Sequence, residues 1–151
     1  LRDLLRIEGL TLHELLLPHR IAKLVEEHCR REAPLEACGI ISGRGARALN
    51  VYPMTNAARS ETRYLMVPDE QFRVMEEVWS RGEELVAIYH SHPKSEAYPS
   101  ATDVALAYYP EAVYLILSLY PEVELRGFHI RDGVVSEVRI TIVREDDEGC
   151  E

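Results

Sequence analysis

The chain predicts a single α/β domain, a sandwich of helices around a mixed sheet, on three observations. The elements read from the sequence follow the order β-α-β-β-α-β-α-β-β-β, which supplies helices to cover a sheet. The runs at 85–89 and 112–120 are dense in apolar and β-forming residues and read as buried central strands. The whole chain, 151 residues with 46% hydrophobic and 28% charged, fits one domain of ordinary composition.

Taken in order, Leu4, Leu5, Arg6 and Ile7 read as a short first strand, its extent blurred by Gly9. Pro18 suits the first turn of a helix. Ile21, Leu24, Val25 and His28 share one helical face, so the spacing predicts an amphipathic helix over 18–32, ended by Pro34. Residues 37–43 form the next strand, bounded by Gly43 and Gly45, and 46–52 return as its hairpin partner with Pro53 closing it. Small and polar residues make 54–63 a loop, and 63–67 a further short strand. Pro68 and Asp69 open a second helix with Phe72, Met75 and Trp79 on one face and Gly82 beyond its end. After the strand at 85–89 comes a loop, then a short helix over 101–109 stopped by Pro110. The strand at 112–120 follows. Residues 123–130 and 134–143 form an antiparallel hairpin around Arg131, Asp132 and Gly133. The domain is expected to occupy 1–143, with 144–151 a disordered acidic tail.

A formal charge of -9 argues against a nucleic-acid-binding surface, and part of it belongs to Glu145, Asp146, Asp147 and Glu148 in that tail. Cys29, Cys38 and Cys150 are odd in number and form no C-x-x-C pair, which disfavours a disulfide framework or a cysteine-rich zinc site. No apolar run approaches the roughly 20 residues of a membrane span, and no secretory signal is visible. The expected location is the cytoplasm. Should the chain form a homodimer, an exposed apolar face of the 18–32 helix is where to look.

The chemistry concentrates in one stretch. His90 and His92 end a strand two residues apart, so their side chains point to the same face. Asp103 falls in the first turn of the next helix. Two imidazoles and a carboxylate, with no cysteine, make the three-ligand set of a catalytic zinc with one position left open. Each residue alone has a plainer account. H-x-H is a weak motif, and Ser100-x-x-Asp103 also matches a helix-start capping pattern. Capping and metal binding are compatible, since a cap holds Asp103 in place. A hydrolytic site further needs a general base. Glu36, just before an apolar strand, is the best candidate, although position alone does not separate it from Glu32, Glu84 or Glu96.

Together, Glu36 followed by Ala-Cys-Gly, His90-Ser-His92-Pro and Ser100-x-x-Asp103 resemble the JAMM/MPN+ metalloprotease signature, complete at its five key positions. The residues around Pro53–Ala57 and Glu96–Ser100 resemble its small bacterial branch. The resemblance implies an α-β-α sandwich around a mixed, curved sheet, similar to the cytidine-deaminase architecture. It implies one Zn2+ per chain on His90, His92 and Asp103, with Glu36 as general base and Ser100 polarising the scissile carbonyl. It also implies a substrate: a ubiquitin-like sulfur-carrier protein of β-grasp fold, cut after its C-terminal Gly-Gly to release cysteine or another adduct. The short segments at 54–67 and 103–112 lack the insertions with which eukaryotic relatives grip a second ubiquitin. The loop at Tyr98 and Pro99 and the stretch 56–64 are candidates for holding an extended carrier tail.

Other readings fit less well. A zinc deaminase needs H-x-E with P-C-x-x-C, and neither occurs; a serine hydrolase needs G-x-S-x-G, also missing. A metal-dependent phosphoesterase lacks its second cluster. Deconjugation of a ubiquitin-like protein from lysines, or a non-catalytic interaction module of the same fold, remain as alternatives.

Overall fold

The computed structural model describes residues 13–144; the strand expected at 4–7 and the tail beyond 144 lie outside them. The described residues form seven strands and three helices in the order β1 (Glu14–Pro18), α1 (His19–Glu32), β2 (Cys38–Arg44), β3 (Arg47–Met54), α2 (Pro68–Ser80), β4 (Glu84–His92), α3 (Ala101–Ala105), β5 (Val113–Ser118), β6 (Glu124–Arg131) and β7 (Val134–Val143).

The mixed sheet runs β1-β3-β2-β4-β5-β6-β7 and curls until its ends meet, because β1 pairs in parallel with both β3 and β7. At the centre β4 lies antiparallel to β2 and parallel to β5. Both faces are covered. One core gathers Leu15, Leu17, Ile41, Tyr89 and Leu115 against Ile21, Val25 and Cys29 of α1. The other gathers Cys38, Ile40, Ile88, Ile116 and Phe128, with Val74 and Met75 of α2 and Val104 of α3 packed against it. Burial on both sides explains the unbroken apolar runs in β2, β4 and β5. Gly39 has a steric reason: a Cβ there would meet the Tyr89 ring at 2.2 Å, so only glycine lets that ring lie across β2. Asp132 and Gly133, both at positive φ, close the β6–β7 hairpin as a tight two-residue turn requires.

Several sequence expectations are corrected. β1 lies where no element is predicted, since its partners come from the far end of the chain. β3 continues through Pro53, which pairs with Gly39. Its far side meets β1 only at Arg47, so the missing N–H deprives no neighbour. The strand expected at 63–67 is reduced to one bridge between Asn56 and Met66. α3 ends at Ala105 instead of 109. In α2 the face expected to group Phe72, Met75 and Trp79 is split: Phe72 and Trp79 point outward, at 61% and 62% exposed, while Met75 packs against the core and Val78 is fully buried. α1 behaves as expected and buries Ile21, Val25, His28 and Cys29, leaving Leu24 partly exposed. No helix among the described residues is long and apolar enough to cross a membrane.

Candidate metal centre

The strand alternation in β4 decides where the motif points. Ile88, His90 and His92 face the core shared with α2 and α3, whereas Tyr89 and Ser91 face α1. α3 then brings Asp103 to the same place. Its start is fixed by a complete capping box: the Asp103 N–H donates to Ser100 Oγ at 3.0 Å, and the Ser100 N–H donates to Asp103 Oδ2 at 2.9 Å. The capping-box partner of Ser100 and the candidate ligand are thus one residue, Asp103, as the spacing allowed.

The three candidate ligand atoms form a nearly equilateral triangle. His90 Nε2 lies 3.2 Å from His92 Nε2 and 3.2 Å from Asp103 Oδ2, and His92 Nε2 lies 3.0 Å from Asp103 Oδ2. A tetrahedral zinc with bonds of about 2.0–2.1 Å needs ligand atoms about 3.3 Å apart. All three residues are buried. The ring orientations are also set from behind. His92 Nδ1 is 2.8 Å from the Glu96 carbonyl, which can only accept, so Nδ1 carries hydrogen and Nε2 faces the triangle. Tyr64 stacks on His90, centroids 4.7 Å apart. The residues therefore fit a zinc ion, with a fourth position left for solvent or substrate.

The electrostatics agree. Burial lowers the His90 pKa and keeps that ring neutral, the form that ligates. Burial opposes charge on Asp103 too, but hydrogen bonds with His90 and His92 outweigh it and hold the carboxyl well below the usual range. His92 is likewise disfavoured by burial, yet its bonds to Asp103 and the Glu96 carbonyl raise its pKa.

Glu36, two residues before β2, is only 3% exposed, and burial pushes its pKa up to about 8, with His92 opposing and Asp103 reinforcing the shift. Its Oε1 is buried without a hydrogen-bond partner among the described residues. The main chain pins it on both sides: its N–H donates to the Ser60 carbonyl at 2.8 Å, and its carbonyl accepts from Asn56 Nδ2 at 3.0 Å. A held carboxyl with a displaced pKa and an unused oxygen is poised to exchange protons. Glu32 and Glu84, exposed on α1 and β4, share none of this burial, and neither does exposed Glu96, whose main chain serves His92. Ser100 Oγ spends an acceptor site on the cap, so its hydroxyl proton is free to donate. The structure thus draws His90, His92, Asp103, Ser100 and Glu36 to one end of the sheet.

Beside the triangle, behind Tyr64, lies a cavity of about 260 Å³ lined among others by Met66, Gln71, Leu106, Tyr108 and Tyr109. Of the two stretches expected to hold a tail, 56–64 contributes this Tyr64 wall. Tyr98 of the other packs edge-on against Phe128, under Arg126. Sequence reasoning missed the cavity and the Tyr64 stack. The tyrosines clustered at 108, 109 and 114 around Pro110 were the one local signal of it.

A family model described as prokaryotic homologs of the JAB domain matches residues 18–130. The chain is 40% identical over 139 residues to a CysO-cysteine peptidase of Mycobacterium tuberculosis, covering 89% of this chain and 95% of that protein. It is 40% identical over 90 residues to a desampylase of Haloferax volcanii, covering 58% of this chain and 65% of that one. Among solved structures, a protein from Desulfitobacterium hafniense superposes with a TM-score of 0.78 at 32% identity, covering 86% of this chain and 93% of its own.

Proposed function

The chain belongs to the prokaryotic JAB-domain family, and we propose that it is a zinc-dependent peptidase that cleaves the amide bond after the C-terminal Gly-Gly of a ubiquitin-like sulfur-carrier protein. The observation that carries this reading is the 3.0–3.2 Å triangle of His90, His92 and Asp103 with the buried, proton-poised Glu36 nearby. When bound there, Zn2+ supplies Lewis acidity that brings the pKa of water to about 7. Glu36 takes a proton from the attacking water and returns it to the departing amine. Ser100 donates its hydroxyl proton to the carbonyl oxygen as negative charge gathers on it, and one such donor is worth about 2.7–4 kcal/mol of barrier. Tyr64 and the cavity behind it offer an apolar wall for the extended tail that precedes the Gly-Gly.

Release of cysteine is the favoured outcome, because the likeness to the CysO-cysteine peptidase spans nearly all of both chains, whereas the likeness to the desampylase spans about two thirds of the latter. The test is incubation of the zinc-loaded protein with the host's sulfur carriers, their cysteine adducts and their lysine conjugates, followed by intact mass. A loss matching cysteine supports the reading. Cleavage of lysine conjugates alone shifts it to deconjugation, and no cleavage of any adduct rejects it.

A further inference from the structure

Ser91, between the two histidines, faces away from the metal triangle and is completely buried. β2 and β4 pair in register up to Cys38 with His90. One residue further, the Ser91 N–H donates to the Ala37 carbonyl at 3.1 Å, but the return bond is not made by the Ser91 carbonyl. The Ala37 N–H donates instead to Ser91 Oγ, at 2.8 Å. The side chain thus replaces the main-chain acceptor where the strand leaves the ladder, and the next residue back is Glu36. On its other side the Ser91 side chain lies against the Cys29 thiol of α1. One oxygen therefore joins the strand carrying His90 and His92, the segment carrying Glu36, and the helix behind them.

We propose that Ser91 is a positioning residue that sets the distance between Glu36 and the metal-binding histidines through its Oγ bond to the Ala37 amide. The inference rests on the function proposed above, in which Glu36 handles the proton. Ala37 and Glu36 are joined by one peptide bond, so a shift of the Ala37 amide moves the carboxyl directly. A displacement of about 1 Å at a reacting group is enough to cost about 100-fold in rate. His90 and His92 stand on the other face of β4 and Asp103 on α3, with orientation supplied by Glu96 and Ser100, so metal binding does not depend on this bond.

The test compares wild type with Ser91→Ala, Ser91→Thr and Ser91→Val, each zinc-loaded, on a carrier–cysteine amide, with kcat expressed per bound zinc at a temperature well below unfolding. Ser91→Ala is expected to keep one zinc and a KM within about 3-fold while kcat falls about 10- to 100-fold. Ser91→Thr, which keeps the hydroxyl, is expected to restore kcat to within about 3-fold of wild type. Threonine and valine have nearly the same shape, so the Thr/Val pair isolates the hydroxyl even if alanine fails to fold. Equal kcat per zinc in those two variants overturns the proposal while leaving the function intact. An inactive wild type instead rejects the function, and this inference with it.

Discussion

The two faces of β4 carry the same kinds of side chain in opposite states. Toward α1, the Tyr89 hydroxyl and His28 Nδ1 meet at 2.7 Å, and Ser91 Oγ is engaged by the Ala37 amide. Toward α2 and α3, His90 Nδ1 and Glu36 Oε1 are buried with no hydrogen-bond partner among the described residues, and three ligand atoms crowd within 3.2 Å of one another. A satisfied polar pair in a core contributes stability. An unsatisfied one costs stability and is retained where something else uses it. The difference separates a histidine that serves the fold from the histidines of the proposed site, which residue type alone never does.

The largest effect is expected from His92→Ala, which opens the triangle. Zinc measured by mass spectrometry should fall from one per chain to none, and hydrolysis should drop by about 10⁴-fold or more as water returns toward its ordinary pKa. A variant that retained both would make the two faces equivalent after all. Glu36→Gln comes next: zinc is kept, and kcat falls about 10²- to 10⁴-fold. The same substitution should stabilise the metal-free chain. Because the folded-state pKa of Glu36 is raised to about 8, folding favours its protonated form. Its stabilising contribution is therefore complete below about pH 4.5 and is lost as pH rises to 8. Glutamine mimics the protonated form, so the variant should gain about 1–3 kcal/mol over wild type at pH 7–8 and little at pH 4, read by denaturant unfolding without metal.

How far this contrast was legible in the sequence follows from the range of the forces that make it. The spacing of His90, His92, Ser100 and Asp103 is local: strand alternation and a capping box fix their directions within a few residues. Position made Glu36 the best candidate for the base without separating it from Glu32, Glu84 or Glu96, because the groups that hold it, Ser60 and Asn56, come from the loop after β3; the family resemblance singled it out. The Tyr64 stack on His90 was not legible at all, since it forms only when residues far apart in sequence come together. The shared face of Phe72, Met75 and Trp79 on α2 gave no direction by itself: Met75 packs against the core and Val78 is fully buried, while Phe72 and Trp79 are left outside. β1, a run of three leucines, was hidden because its register is set by β7.

Ser100→Ala should fall between the two faces, since its side chain caps α3 and, in the proposed reaction, donates to the carbonyl oxygen. Loss of the cap costs about 1 kcal/mol of stability, and loss of the donor lowers kcat about 10²- to 10³-fold with zinc retained. Thermal unfolding and kcat measured together separate the two contributions.

The smallest effect on activity, and the sharpest test of the contrast, is expected from Tyr89→Phe. Tyr89 directly precedes His90, so sequence proximity alone would forecast damage to catalysis. Its hydroxyl, however, points to the other side of the sheet. Burial lifts the Tyr89 pKa far above its ordinary value and lowers that of His28, so the phenol keeps its proton and donates it to the neutral imidazole. Removing the hydroxyl leaves His28 Nδ1 unpaired in the core, at a cost of about 1–3 kcal/mol. Because the folded-state pKa of His28 is lowered, its contribution to stability is present above about pH 6.5 and is lost on acidification below it. Wild type and variant should therefore both lose stability there. kcat per zinc should stay within about 2-fold of wild type, because no group facing the metal triangle has changed. A large fall in kcat at unchanged zinc content would show that the two faces are coupled through the strand, and that the His28–Tyr89 pair also tunes the site.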